Sequence, residues 1–148
     1  MPKFRFSLQR LIDVRKHREE VLINELAVVK RKYLDEEEIL EDLKELLSIN
    51  VRRLKERQER IASIEEIILY YNYFTKMDEE ILKQKEKLKK IQEEINIITE
   101  KLIKASQEKR VVEKLREKHL SEFRKLIEKL EQSDMDEIGI NLHYRKVR

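Results

Sequence analysis

Three histidines, His17, His119 and His143, are the first places in this sequence to look for chemistry. His17 with Glu20, and His119 with Glu122, stand three residues apart. That spacing puts two side chains on one helical face, where they could ligate a metal ion. A chain this rich in glutamate produces such pairs by chance, so the structural reading is favoured and no metal site is assigned. Other catalytic patterns are missing from the sequence. There is no Cys, hence no disulfide and no thiolate ligand. It holds no glycine-rich phosphate loop, no nucleophile elbow and no H-E-x-x-H zinc motif. No catalytic residue, cofactor or direct small-molecule ligand is expected.

Binding chemistry is the alternative. Residues 3–20, KFRFSLQRLIDVRKHREE, hold six cations: Lys3, Arg5, Arg10, Arg15, Lys16 and Arg18. The same stretch carries Phe4, Leu8, Leu11 and Ile12, read as an apolar row on a helix. A membrane surface would suit such a segment, but Asp13, Glu19 and Glu20 weaken that idea and a protein-docking helix fits better. The stretch has no apolar core or small-residue cleavage site of a secretory signal. No apolar run approaches the length of about 18 residues that spans a bilayer. The cytoplasm is the expected location. A second group of anchors is Tyr70, Tyr71, Tyr73 and Phe74. These aromatics are either a partner surface or a cap on the open end of the fold, and the cap is favoured. The basic stretch from Lys101 to Lys129 raises nucleic acid as a partner. Five glutamates interrupt it and Phe123 is its one aromatic, so a solvated face is favoured.

The elements that position these residues follow from composition. The 148 residues are 44% charged and 40% apolar, with one Gly and one Pro. Nearly nothing breaks a helix, so long helices with a thin core are the default. Disorder is the rival for so charged a chain, but it predicts no regular apolar spacing. With position a at Ile12, the row runs Ile12, Glu19, Leu26, Tyr33, Leu40, Leu47, Leu54, Ile61, Ile68. Position d runs Leu8, Arg15, Leu22, Val29, Glu36, Leu43, Asn50, Arg57, Ile64, Tyr71. Fourteen of these 19 positions are apolar, the mark of a left-handed coiled coil. A second seam runs from Ile81 and Gln84 to Phe123, Leu126 and Leu130, and departs from the pattern at Lys109, Arg116 and His119.

Asn72, and Thr75 followed by Asp78 as a capping box, place a turn at about residues 72–75. The expectation is an all-α fold: residues 1–148 as a single long two-helix antiparallel coiled-coil hairpin. Helix one covers about 4–71 and helix two about 76–132. The tail, 133–148, lies beyond the seam and is left open to disorder. Folding at that turn sets the acidic block 31–50 beside the basic block 101–118. Glu36 would meet Lys109 and Arg116, and Arg15 would lie near Asp134 and Asp136. A narrow seam of this kind offers no pocket that shifts a pKa or excludes water.

The two ends of the sequence together resemble the flagellar FliJ family. The opening signature reads Phe4, Phe6, Leu8, Gln9, Leu11, Ile12, Asp13, Arg15, Glu19, Glu20. LREKHLSEF, Leu115 to Phe123, resembles that family's Leu-(Arg/Lys)-Glu-(Arg/Lys) segment followed by an aromatic, and DMDEIG resembles its terminal Asp-Glu. These signatures cover about a third of the chain, and their joint order is more specific than any one of them. The tail INLHYRKVR departs from the pattern, being more basic and aromatic. The resemblance implies a non-enzymatic component of the flagellar type III export apparatus at the inner membrane. Such proteins resemble the central stalk of rotary ATPases. The implied partners are the export ATPase hexamer, the membrane-embedded export gate and substrate-specific export chaperones. Docking residues expected on this basis are Phe4, Leu8, Arg10, Arg15, Arg18, Leu115, Arg116, His119 and Phe123. For Leu8, Arg15, Arg116 and His119, completion of the hairpin seam is an equal alternative. A generic scaffold or tether, or a nucleic-acid-binding hairpin, are the rival functions.

Overall fold

The structure, a computed structural model, describes residues 2–57, Arg60 and 63–147. It is all-α, with two helices: α1, Gln9–Arg57, and α2, Ile64–Val147. The chain divides into two compact units, Met1–Glu20 with Ile103–Arg148, and Val21–Leu102. Within each unit α1 and α2 run antiparallel, because contact partners fall along α2 as they rise along α1.

In the second unit the heptad rows become the core. Val29, Ile91, Ile95 and Ile98 form one buried cluster, flanked by Leu26 and Tyr33. Leu40, Ile81 and Leu88 form another, flanked by Tyr33, Leu43 and Leu47. Every third or fourth residue is buried or half-buried, as the 3.5-residue repeat requires. Polar seam residues find partners across it. Gln84 Nε2 donates to Glu36 Oε2 at 2.7 Å and to the Glu36 carbonyl at 2.8 Å. Lys87 Nζ adds an ion pair to Glu36 Oε1 at 2.9 Å. Asn50 Nδ2 donates to the Tyr73 hydroxyl at 2.8 Å.

The connection lies between Arg57 and Ile64, not at 72–75, which is continuous helix within α2. The physical reason is the cap. Ser63 Oγ accepts the Glu66 backbone N–H at 3.3 Å, and Ser63–Glu66 has the S-x-x-E spacing of a capping box. Glu65 and Glu66 in the first turn of α2, and Lys55 and Arg57 in the last turn of α1, complement the helix dipoles. Thr75 does not cap; its hydroxyl donates back to the Tyr71 carbonyl at 2.9 Å, as threonines inside helices do.

The shifted connection moves every cross-helix pair. Glu36 meets Gln84 and Lys87 instead of Lys109 and Arg116. Arg15 meets Glu108 instead of Asp134 and Asp136. Helix one spans 9–57 rather than 4–71. Ile68 and Tyr71, expected on its seam, are exposed residues of α2, and Ile61 lies outside the described residues. The expected tail from 133 onward is helical to Val147.

Two measurements probe this arrangement. Leu40→Ala removes a side chain from the second-unit core and is expected to cost about 2–3 kcal/mol in urea unfolding followed by circular dichroism. Ser63→Ala is expected to cost about 1 kcal/mol through the lost cap, whereas Thr75→Ala is expected to change stability by less than about 0.5 kcal/mol.

Candidate functional site

The first unit brings the two ends of the sequence together. Residues 2–6 are not helical, and α1 starts after a turn at Ser7 and Leu8. The Ile12 N–H donates to the Leu8 carbonyl at 3.2 Å, and the Gln9 N–H to the Phe6 carbonyl at 3.1 Å. With Phe4 and Phe6 two residues apart on a non-helical strand of chain, both rings reach α2. Phe4 lies 5.6 Å from Phe123, tilted by 52°, and Phe6 lies edge-on to His119 at 5.5 Å. Phe6, Ile12 and Val112 form the buried cluster of the unit, with Phe4 and Leu11 packed against it. Aromatic pairs of this kind add about 0.5–1.5 kcal/mol each to their burial.

The cations divide into two groups. Arg15 donates to the Glu108 carbonyl at 2.6 Å. Arg116 places its guanidinium 5.5 Å over the Phe4 ring and donates from Nε to Gln9 Oε1 at 3.1 Å. Both are therefore internal to the unit. Lys3, Arg5, Arg10 and Arg18 are exposed and form no ion pair among the described residues. Leu8 and Leu115 are about 40% exposed, at 39% and 37%. Of the expected docking residues, Phe4, Arg15, Arg116, His119 and Phe123 thus hold the unit together. Leu8, Arg10, Arg18 and Leu115 face outward. Phe6 and Gln9 also carry the unit; the F-x-F alternation, period two rather than 3.6, was the signal for the non-helical segment.

One ionic group sits on the seam itself. Glu19 Oε2 accepts from Ser106 Oγ at 2.7 Å, and Glu19 Oε1 pairs with Lys109 Nζ at 2.9 Å. The Ser106 hydrogen bond, then the Lys109 hydrogen bond, holds the Glu19 carboxyl below its ordinary pKa. The same Glu19 contact pushes the Lys109 ammonium above its own ordinary value. Lys109 also reaches Glu113 at 3.7 Å.

The aromatics near the start of α2 are split between two faces. Tyr70, Tyr73 and Phe74 are half-buried and cluster, with Tyr70–Phe74 at 6.2 Å and Tyr73–Phe74 at 5.6 Å. Tyr71 is exposed, beside exposed Ile64, Ile67 and Ile68.

Comparison with known families now bears on these motifs. A sequence model of the family described as Flagellar FliJ protein matches residues 4–148. The chain belongs to the FliJ family. It is accordingly a flagellar export-related protein, from a family of non-catalytic export components. No curated protein and no solved structure matches the chain at a significant level. Among the described residues no helix is long and apolar enough to cross a membrane. The structure adds a reason for the two FliJ-like stretches to occur together. Phe4, Phe6 and Gln9 of the opening stretch contact Phe123, His119 and Arg116 of LREKHLSEF, so the two motifs are the two sides of one packed unit.

The Glu19 group predicts a pH dependence. A lowered carboxyl pKa contributes stability that is present above the unfolded value and is lost as pH falls through the folded value. Glu19→Gln is expected to melt below wild type near neutral pH. The two melts should converge on acidification through the carboxylate range. Parallel melts at every pH would show that the ionised form of Glu19 contributes nothing.

Proposed function

We propose that this FliJ-family chain is a non-enzymatic, central-stalk-like coiled coil of the export apparatus. It docks in the hexamer of the flagellar export ATPase and promotes assembly and hydrolysis there. It also links that ring to the export gate and receives substrate-specific chaperones, at the cytoplasmic face of the inner membrane at the flagellar base. The observation that carries the reading is the first unit. A small apolar core of Phe4, Phe6, Ile12 and Val112 fixes the chain's N-terminal segment on α2, and Lys3, Arg5, Arg10 and Arg18, exposed and without an ion pair among the described residues, stand around it. Cations held on a rigid support offer charge-assisted contacts to acidic or carbonyl groups of several ring subunits in turn. Leu8 and Leu115 add apolar area, and the chemistry of ATP cleavage belongs to the ring. Tyr71, with its neighbours, is a second surface for a partner at the other end of α2.

A tether that merely binds proteins is the competing reading, and titration separates the two. Added to purified export ATPase, the chain should raise hydrolysis at substoichiometric ratio, with more hexamer seen by light scattering. No change in rate or assembly, with the chain shown helical, would leave the tether. A nucleic-acid-binding hairpin would instead lose affinity for DNA or RNA steeply with added salt.

Residue roles separate by pairing two variants. Arg10→Glu with Arg18→Glu is expected to weaken ATPase stimulation at least tenfold and to leave the melt within about 0.5 kcal/mol of wild type. Arg15→Ala should do the reverse. It is expected to lower stability by about 1–3 kcal/mol through the lost bond to the Glu108 carbonyl, with ATPase binding retained.

A further inference from the structure

From Glu128 onward every described side chain of α2 is exposed. An isolated helix of this length is marginal in water, and this one carries Ser133, Asp134, Asp136, Gly139 and Asn141, all poor helix formers. It nevertheless presents an apolar row at Met135, Ile138 and Leu142, spaced three and four apart, with exposures of 74%, 59% and 56%. Its charge is split along the axis. Glu131, Asp134, Asp136 and Glu137 lead, and Arg145 and Lys146 follow.

We propose that residues 131–146 are a self-association helix, which pairs antiparallel with the same helix of a second copy of this chain. The charge pattern selects that occupant and that direction. In an antiparallel pair centred near Ile140, Ile138 of each copy lies against Leu142 of the other. Met135 lies against the stem of Arg145, and the acidic half of each helix runs beside the basic half of its partner. A parallel pair would oppose acid to acid and base to base. The contact is two-fold, so each residue pair occurs twice. Gly139, the one glycine of the chain, supports the assignment. Its φ is not positive, and a Cβ there would meet nothing within 4 Å, so the single chain gives no reason for glycine. In the antiparallel pair it flanks the seam beside the two-fold axis, where the absence of a side chain lets the backbones approach. Ile140 and Tyr144 lie on another face and take no part. The paired surface is short, so the dimer is weak and concentration-dependent.

Sedimentation equilibrium of the full chain, over a wide concentration range, is the test. Wild type is expected to dimerise at high concentration, and Ile138→Asp with Leu142→Asp to stay monomeric with unchanged helix content in the remainder. Charge reversal tests direction. A variant with Asp134→Lys, Asp136→Lys and Glu137→Lys should be monomeric, as should one with Arg145→Glu and Lys146→Glu, and an equimolar mixture of the two should form a heterodimer. Monomer at every concentration would overturn the proposal. So would a dimer indifferent to the Ile138 and Leu142 changes, or single-reversal variants that dimerise as well as wild type.

Discussion

A polar group on an apolar seam must find a partner at the same level of the opposite helix. Here that requirement sets the register. Leucines and isoleucines pack nearly as well after a slide of one heptad, so an apolar seam alone leaves several registers close in energy. Glu36 does not tolerate such a slide, because both its carboxylate and its carbonyl are taken by Gln84. In the first unit Glu19 has the same role with Ser106 and Lys109, and Arg15 with the Glu108 carbonyl. Desolvating such groups adds little net stability even when they are matched, and leaves a large penalty when they are not. Their contribution is therefore discrimination between registers.

Much of this was legible in the residues. The a and d rows from Ile12 to Leu54 are the residues that α1 turns inward, including the polar exceptions Arg15, Glu19, Glu36 and Asn50. The row Ile81, Gln84, Leu88, Ile91, Ile95, Ile98 is the matching face of α2. What misled was the continuation of apolar residues at Ile61, Ile64, Ile68 and Tyr71. The repeat runs in phase across the connection, so periodicity gave no sign that one helix had ended. The decisive signal was local, a serine three residues before a glutamate. It competed with Thr75 and Asp78, whose spacing is the same and whose acid is the weaker partner for a capping box. An error in the turn of this kind leaves each helix face correct and every cross-helix pair wrong.

The N-terminal segment shows the same limit from another side. Phe4, Leu8, Leu11 and Ile12 also fit a helical row, and the charges around them fit a docking helix. Tertiary packing decided otherwise. Two aromatics at period two place both rings on α2, at His119 and Phe123, only if the segment leaves helical geometry. The partners lie more than a hundred residues away in sequence, so no local pattern announced them. The expected docking residues come from this stretch and from Leu115 to Phe123, the two sides of the packed unit, and for that reason they mix two kinds. Arg15 and Arg116 have the composition of a binding site, yet both are half-buried and their contacts lie within the unit.

That mixture follows from what a two-helix fold can offer. With no layer behind the seam, side chains that hold the helices together stand directly beside side chains that solvent or a partner can reach. Arg116 illustrates the compromise: its guanidinium covers Phe4 and its Nε is tied to Gln9, which fixes the segment bearing Lys3 and Arg5. Removing Arg116 would loosen the segment that bears Lys3 and Arg5, so loss of partner binding alone would not identify a contact residue. Arg10 and Arg18 carry no such double role among the described residues. Charge placed on a support that is already ordered loses little conformational freedom on binding. In the docking surface proposed above, the inward-facing arginines would therefore order the support on which the outward-facing ones stand.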